Sequence, residues 1–236
     1  MVGNKKPLPT LRFDLCITMR VSPGKNRKAF VKFTIIQITV AFLGVGCAFW
    51  LEKPGLFLKK TAGSLSPISY LIFWPYLVLN TIALGLFRLF SRENALDEII
   101  PNLYLGCQLW IGDYKRFVSK GIKSTLDLTS EFSEVSFIRT GQNYLCIPLL
   151  DTRAPTLNQL EEAVLWISAR LSEGPVFVHC ALGHGRSATM VAGFLIKHGM
   201  VNNAKEAIEF IKVRRPSVEL HPKQLTVLEQ FCSNGQ

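Results

Sequence analysis

Acidic residues are scarce in this 236-residue chain, where 17 Asp and Glu stand against 27 Lys and Arg. An excess of this kind ordinarily suggests a nucleic-acid partner, but its distribution removes that reading. Residues 1–32 hold 8 basic residues and 1 acidic one, residues 33–90 hold 4 and 1, and residues 91–236 hold 15 of each. The long C-terminal part is neutral, so no nucleic-acid partner is expected. No CxxC occurs among the six scattered cysteines, Cys16, Cys47, Cys107, Cys146, Cys180 and Cys232, which speaks against a disulfide framework. The four histidines (His179, His184, His198, His221) lack zinc-site spacing. Neither a metal nor a cofactor is expected. Internal repeats and low-complexity tracts are also missing.

Charge is absent altogether from two stretches. Phe33 to Leu51 runs 19 residues without one, and Thr61 to Phe87 runs 27, its more apolar part starting near Ile68. A bilayer core of ~30 Å needs about 20 apolar residues in a helix, so residues 33–51 and 68–87 are expected to form a transmembrane hairpin within residues 33–90. A cleaved signal peptide would begin closer to Met1. A buried core helix is the other reading, and neither run shows the 3.6-residue stripe it would favour. The basic tail of residues 1–32 (Lys5, Lys6, Arg12, Arg20, Lys25, Arg27, Lys28, Lys32) outweighs the three lysines of "EKPGLFLKK" between the runs. That bias places the N-terminus in the cytoplasm. Two spans return the chain to the same side, so the rest is expected to be cytoplasmic too, with the lipid bilayer as a partner. Pro75 and Asn80 in the second run read as a kink or a helix contact.

From residue 97 onward short strands and helices alternate. "NLYLG", "STLDL", "NYLCIPLL" and "PVFVH" read as strands. Thr156 and Gln159 form a capping box before a helix with Leu157, Leu160, Val164, Ile167 and Leu171 on one face. Gly199 stops a later helix, Asn203 caps the next, and Pro222 suits the first turn of the last. The alternation predicts an α/β domain over 97–236, with a mostly parallel sheet flanked by helices.

The segment "GPVFVHCALGHGRSATMVAGFLI" carries the chemistry. A strand ending at His179 and a helix starting near Arg186 leave Cys180 to Gly185 as a loop at a helix N-terminus, which is a natural anion site. Gly183 and Gly185 let the loop curl, and the Arg186 fork suits two phosphate oxygens. The same field favours a Cys180 thiolate, a nucleophile able to form a phosphocysteine. Asp151, 29 residues upstream at the end of the preceding strand, is the expected proton donor and, in the second step, the base for water. A turn or cap role is its alternative, and Asp113 and Asp127 are rival acids. Ser187 reads as a helix cap, as an aid to the leaving sulfur, or as both. His179 reads as orienting the loop. Cys146 reads as a buried strand cysteine, with a protective disulfide to Cys180 as the alternative.

"VHCALGHGRS" resembles the H-C-x5-R-S/T loop of the cysteine-based protein tyrosine phosphatases. "IIPNLYLG", "LDLTSE", "IPLLDT" and "RRPSVELHPKQLTVLEQF" are similar to landmarks of the dual-specificity branch. The resemblance covers about residues 97–233. It departs from the family in the apolar hairpin and in "LHP" near the last helix. It implies the phosphotyrosine-phosphatase-like fold and metal-free hydrolysis of phosphate monoesters. Cys180 is then the nucleophile, Asp151 the acid and Ser187 the hydroxyl aid. Ala181, Leu182, Gly183, His184, Gly185 and Arg186 bind the phosphate. The expected substrate is a phosphoprotein (Tyr/Ser/Thr). The alternatives are a phospholipid, such as a phosphoinositide or phosphatidylglycerophosphate, and a non-catalytic adaptor. The loop has no lysine to neutralise extra phosphates, and tethering at a bilayer raises the local concentration of lipid phosphates.

Overall fold

The computed structural model describes residues 23–140 and 143–234. Most of the basic tail therefore lies outside the described residues. Two compact units are distinguished, residues 1–36 and residues 37–236. Of the first, the described part is the beginning of helix α1 (Pro23–Trp50), where Phe30, Phe33, Ile35 and Ile36 are exposed. The second unit contains the rest of α1, helix α2 (Pro67–Phe90) and the whole α/β part. The division between hairpin and catalytic part expected near residues 90–97 thus falls inside one compact unit.

The sheet has five strands in the order β1-β2-β5-β3-β4. They are β1 (Leu96–Ile100), β2 (Leu103–Gly106), β3 (Ser124–Thr129), β4 (Asn143–Leu149) and β5 (Val176–His179). Only edge strand β1 is antiparallel; every other pairing is parallel. β3 and β5 are buried along their whole length, as central parallel strands covered on both faces must be. β1 escapes a periodicity reading because "LDEII" is a short edge element with polar residues. The helices are α3 (Tyr114–Ser119), α4 (Ser136–Arg139), α5 (Leu157–Leu171), α6 (Arg186–Lys197), α7 (Ala204–Lys212) and α8 (Pro222–Asn234).

Local signals set the helix ends. Thr156 Oγ1 accepts from Gln159 N, and Gln159 Oε1 accepts from Thr156 N, closing the capping box of α5. Asn203 Oδ1 accepts from Glu206 N at the start of α7. Gly199 ends the α6 segment at φ +62°, where a side chain would be strained. α6 is buried from Arg186 to Leu195. It forms one apolar core with α5, α7, α8 and one face of the sheet.

Both apolar runs are helical, and both helices are long and apolar enough to cross a membrane. α2 starts at an N-cap, Ser66, and buries Ser69, Phe73, Leu77 and Leu84. Phe73 and Leu77 share a small core with Ala48, Phe57, Leu65 and with Leu150, which follows β4. On the other side of α2, Ile68, Leu71, Trp74, Val78, Ile82, Leu86 and Leu89 are exposed.

The turn between the two helices is fastened to the α/β part. Lys59 Nζ lies 2.6 Å from Asp127 Oδ2, 2.7 Å from Thr129 Oγ1 and 2.8 Å from the Thr129 carbonyl. All three ammonium protons are thereby used. Gly63 O accepts from Glu134 N, and Tyr70 OH lies 2.7 Å from Ser133 Oγ. At the far end of α2, Arg88 pairs with Asp113 at 2.8 Å. The turn and both ends of α2 contact the α/β part, so the helix lies along its flank.

The Lys59 pair tests this attachment. Both side chains are shielded, and losing one partner of such a pair costs about 3–5 kcal/mol. Lys59→Met is expected to lower the thermal midpoint in detergent sharply. Adding Asp127→Asn should recover much of the loss. A Lys59→Met protein as stable as the parent would show that the turn is not fastened.

Candidate active site

The parallel strands all deliver their C-terminal ends to one edge of the sheet, where ligands of open α/β sheets gather. β5 delivers Cys180, β3 delivers Glu131 and β4 delivers Asp151. Cys180 is 3% exposed and borders a cavity of about 360 Å³ whose lining also includes Asp151, His184 and Gly185. Gly183 N donates to Cys180 Sγ at 3.3 Å, and Ser187 Oγ lies 3.2 Å from the same sulfur. Burial works against a thiolate here. The Arg186 charge, the Ser187 hydroxyl and the amides of Ser187 and Gly183 outweigh it, and the Cys180 thiol is held below its ordinary value.

The glycines of the loop have different reasons. Gly183 adopts φ +78°, and a Cβ there would strike the Gly106 carbonyl. Gly185 has a negative φ; its constraint is space, since a Cβ would press on the Gln224 side chain.

Arg186 is 1% exposed. Its Nη2 donates to Glu131 Oε1 at 2.7 Å, and its Nη1 to Glu131 Oε2 at 3.0 Å and the Leu149 carbonyl at 2.9 Å. Burial opposes ionisation of both partners, yet Arg186 pulls the Glu131 carboxyl below its usual range and Glu131 keeps the guanidinium charged. Arg186 Nε is enclosed and has no partner among the described residues. Asp151 Oδ1 stands 3.2 Å from Arg186 Nη2, with the Asp151 side chain 64% exposed on the rim.

Asp151 therefore shares the cavity with Cys180, and the rival acids do not line it. Asp113 accepts from Trp110 N and pairs with Arg88. Asp127 is buried under Lys59. Burial alone would raise its carboxyl, but Lys59 and His179 bring it down to about 2. His179 Nε2 lies 2.7 Å from Glu134 Oε2, and its Nδ1 lies 3.3 Å from the Cys180 carbonyl. Desolvation lowers this imidazole, but Glu134 and Asp127 raise it further, so His179 is held above its ordinary value. Asp127, Glu134 and His179 bring ligand atoms within 4.8 Å of one another, and the Lys59 ammonium already supplies a cation there.

His184 pairs with Glu93 at 2.7 Å and stacks edge-on against Phe87 of α2. The hairpin thus reaches the loop itself. β3 separates β4, which carries Cys146, from β5, with Cys146 opposite Asp127 and Asp127 opposite His179. Two strand spacings are about 9–10 Å, beyond disulfide reach. Burial, assisted by Asp127, pushes the Cys146 thiol up to about 12. The disulfide alternative for Cys146 is corrected on these grounds.

Two site residues carried no sequence signal of their own. Glu131 lies 55 positions from Arg186. Arg215 donates to the Leu182 and Gly183 carbonyls at 2.8 and 3.0 Å and pairs with Asp97 at 2.7 Å. By engaging these carbonyls, Arg215 fixes the loop from outside. Both residues fall within stretches quoted above for the family resemblance, but chain spacing alone does not single them out.

The described arrangement is a depressed-pKa cysteine in a curled loop at a helix N-terminus, under an acid and beside a free guanidinium donor. Comparison with known proteins agrees. Residues 103–234 match the dual specificity phosphatase catalytic domain. The chain belongs to the dual specificity phosphatase family.

It is a phosphoric monoester hydrolase of that type. Among curated family relatives, phosphatidylglycerophosphate phosphatase PTPMT2 of Arabidopsis thaliana is 30% identical over 167 residues, 68% of this chain and 72% of that protein. Phosphatidylglycerophosphatase and protein-tyrosine phosphatase 1 of Mus musculus is 30% identical over 70% of this chain and 89% of its own length. Dual specificity protein phosphatase 16 of Homo sapiens is 34% identical over 51% of this chain, but only 18% of that longer protein is covered. Among solved structures, PTPMT1 in complex with PI(5)P superposes with a TM-score of 0.55 at 26% identity, covering 60% of this chain and 96% of that one.

Proposed function

We propose that the chain is a membrane-attached phosphatase working through a phosphocysteine. The observation that carries this reading is Cys180 Sγ beside a hollow with Asp151 on the rim and the Arg186 Nε donor unengaged. The Cys180 thiolate attacks phosphorus, an S–P bond forms and the P–O ester bond breaks. Asp151 gives its proton to the departing oxygen. Arg186 and the loop from Ala181 to Gly185 hold the phosphoryl oxygens, which carry the charge of the transition state. In the second step the Asp151 carboxylate takes a proton from water as the water oxygen bonds phosphorus, the S–P bond breaks, phosphate is released, and Ser187 donates to the departing sulfur. An adaptor role would leave these groups without work.

Attachment rests on the exposed apolar faces of α1 and α2, which suit a bilayer surface or its outer hydrocarbon. Lysines and arginines at residues 25–32 favour the cytoplasmic side. Hairpin residues 37–90 and catalytic residues 97–236 belong to one compact unit. Phosphoproteins and phospholipids both offer the required monoester. Relatives named for phosphatidylglycerophosphate, and a neighbour holding PI(5)P, support the lipid reading.

Acid quenching during turnover of a labelled aryl phosphate should trap phosphate on Cys180. Iodoacetate should alkylate Cys180 with a midpoint below the ordinary ~8.5. The rate should fall as pH drops through that depressed value, since the thiolate is then lost. Ser187→Ala should move the midpoint upward. An unlabelled Cys180 that alkylates only near the ordinary midpoint would overturn the mechanism.

A further inference from the structure

A second cavity of about 320 Å³ adjoins the phosphate pocket and shares Asp151, Thr152 and Leu182 with it. Its opposite wall is α2, which contributes Tyr76, Asn80, Ala83 and Phe87. None of these lies within residues 103–234, the part that matches the family's catalytic domain. The wall is largely apolar and carries one poorly engaged donor. Asn80 Nδ2 is shielded and makes no well-aligned hydrogen bond, with the Tyr76 hydroxyl beside it. An amide in that state is costly unless something accepts from it.

A phosphomonoester seated over Cys180 must send the rest of its molecule out of the pocket. The passage past Asp151 and Leu182 leads into this cavity. We propose that α2 forms the second half of the substrate site. The cavity would seat the acyl-glycerol portion of a phospholipid whose headgroup ends in a phosphomonoester, and Asn80 would donate to an ester oxygen. Burying methylenes against Ala83, Phe87 and Tyr76 favours such a tail. The outer face of the same helix is exposed and apolar, so the lipid reaches the cavity along a membrane-lying element. A phosphopeptide has no apolar tail to place there. This assignment rests on the phosphatase reading above, and the experiment separates the two.

The full chain in mixed micelles would be given long-chain and dihexanoyl phosphatidylglycerophosphate, p-nitrophenyl phosphate and a phosphotyrosine peptide, with kcat/KM measured for each. The long-chain lipid should exceed the dihexanoyl form by about tenfold or more, the scale on which apolar pockets discriminate. Ala83→Trp fills the cavity and should lower the ratio of long-chain lipid to aryl phosphate by about tenfold or more. Asn80→Leu, which keeps the wall apolar, should lower that ratio several-fold and carries the test if the tryptophan variant does not fold. An unchanged ratio in the folded variants overturns the proposal, as does a parent enzyme that prefers the phosphopeptide. If the parent fails to hydrolyse even the aryl phosphate, the phosphatase reading itself falls, and the lipid seat with it.

Discussion

Cys180→Ser is expected to reduce aryl phosphate hydrolysis by roughly 10⁴-fold or more, the scale of losing a covalent nucleophile. The field of Arg186, Ser187 and the loop amides holds the thiol below its ordinary value, but an alcohol starts several units higher and stays protonated. The change is nearly isosteric, so α6 and the loop should keep their structure. The variant should still bind inorganic phosphate or tungstate, measurable by calorimetry, with an unfolding midpoint close to that of the parent. Substantial turnover by the serine form would remove the phosphocysteine from the scheme.

Arg186→Met should have a double effect. It removes the donor that remains for phosphate, and a loss of about 10³-fold in kcat/KM follows from deleting so strong an electrostatic contact. It also leaves Glu131 buried and charged without its fork, at a cost of about 3–5 kcal/mol. Adding Glu131→Gln should recover much of the stability and none of the activity, which separates the two effects. The Glu131 pair also sets an acid limit in the parent. Its folded pKa is depressed, so its stabilisation is fully present above the unfolded value of about 4.3 and is lost as pH falls through the lower folded value. Full stability in Arg186→Met would mean that Glu131 is not held as described.

What the sequence made visible was local. The capping box at Thr156, the Asn203 cap, the stop at Gly199 and the curled loop after His179 each depend on residues a few positions apart, and each appears where its chemistry places it. Asp151 was legible because a parallel sheet brings strand ends to a common edge. Glu131 and Arg215 were hidden, since their partners stand 55 and 32 positions away in the chain. The position of α2 was hidden for a different reason. A helix that is apolar all round presents the same chemistry to protein and to lipid, so periodicity does not distinguish the side carrying Phe73 and Leu77 from the side carrying Leu71 and Trp74. Lys59 looked like an ordinary turn lysine. Its burial depends on Asp127, 68 residues later.

That lysine bears on whether the α/β part can stand without the hairpin. Clipping the chain between α2 and β1 and losing the hairpin would strip the cation from Asp127 and uncover Leu150, leaving a solvent-facing scar on the remaining fragment. The fragment left without the hairpin is therefore expected to unfold at a lower temperature than the whole chain.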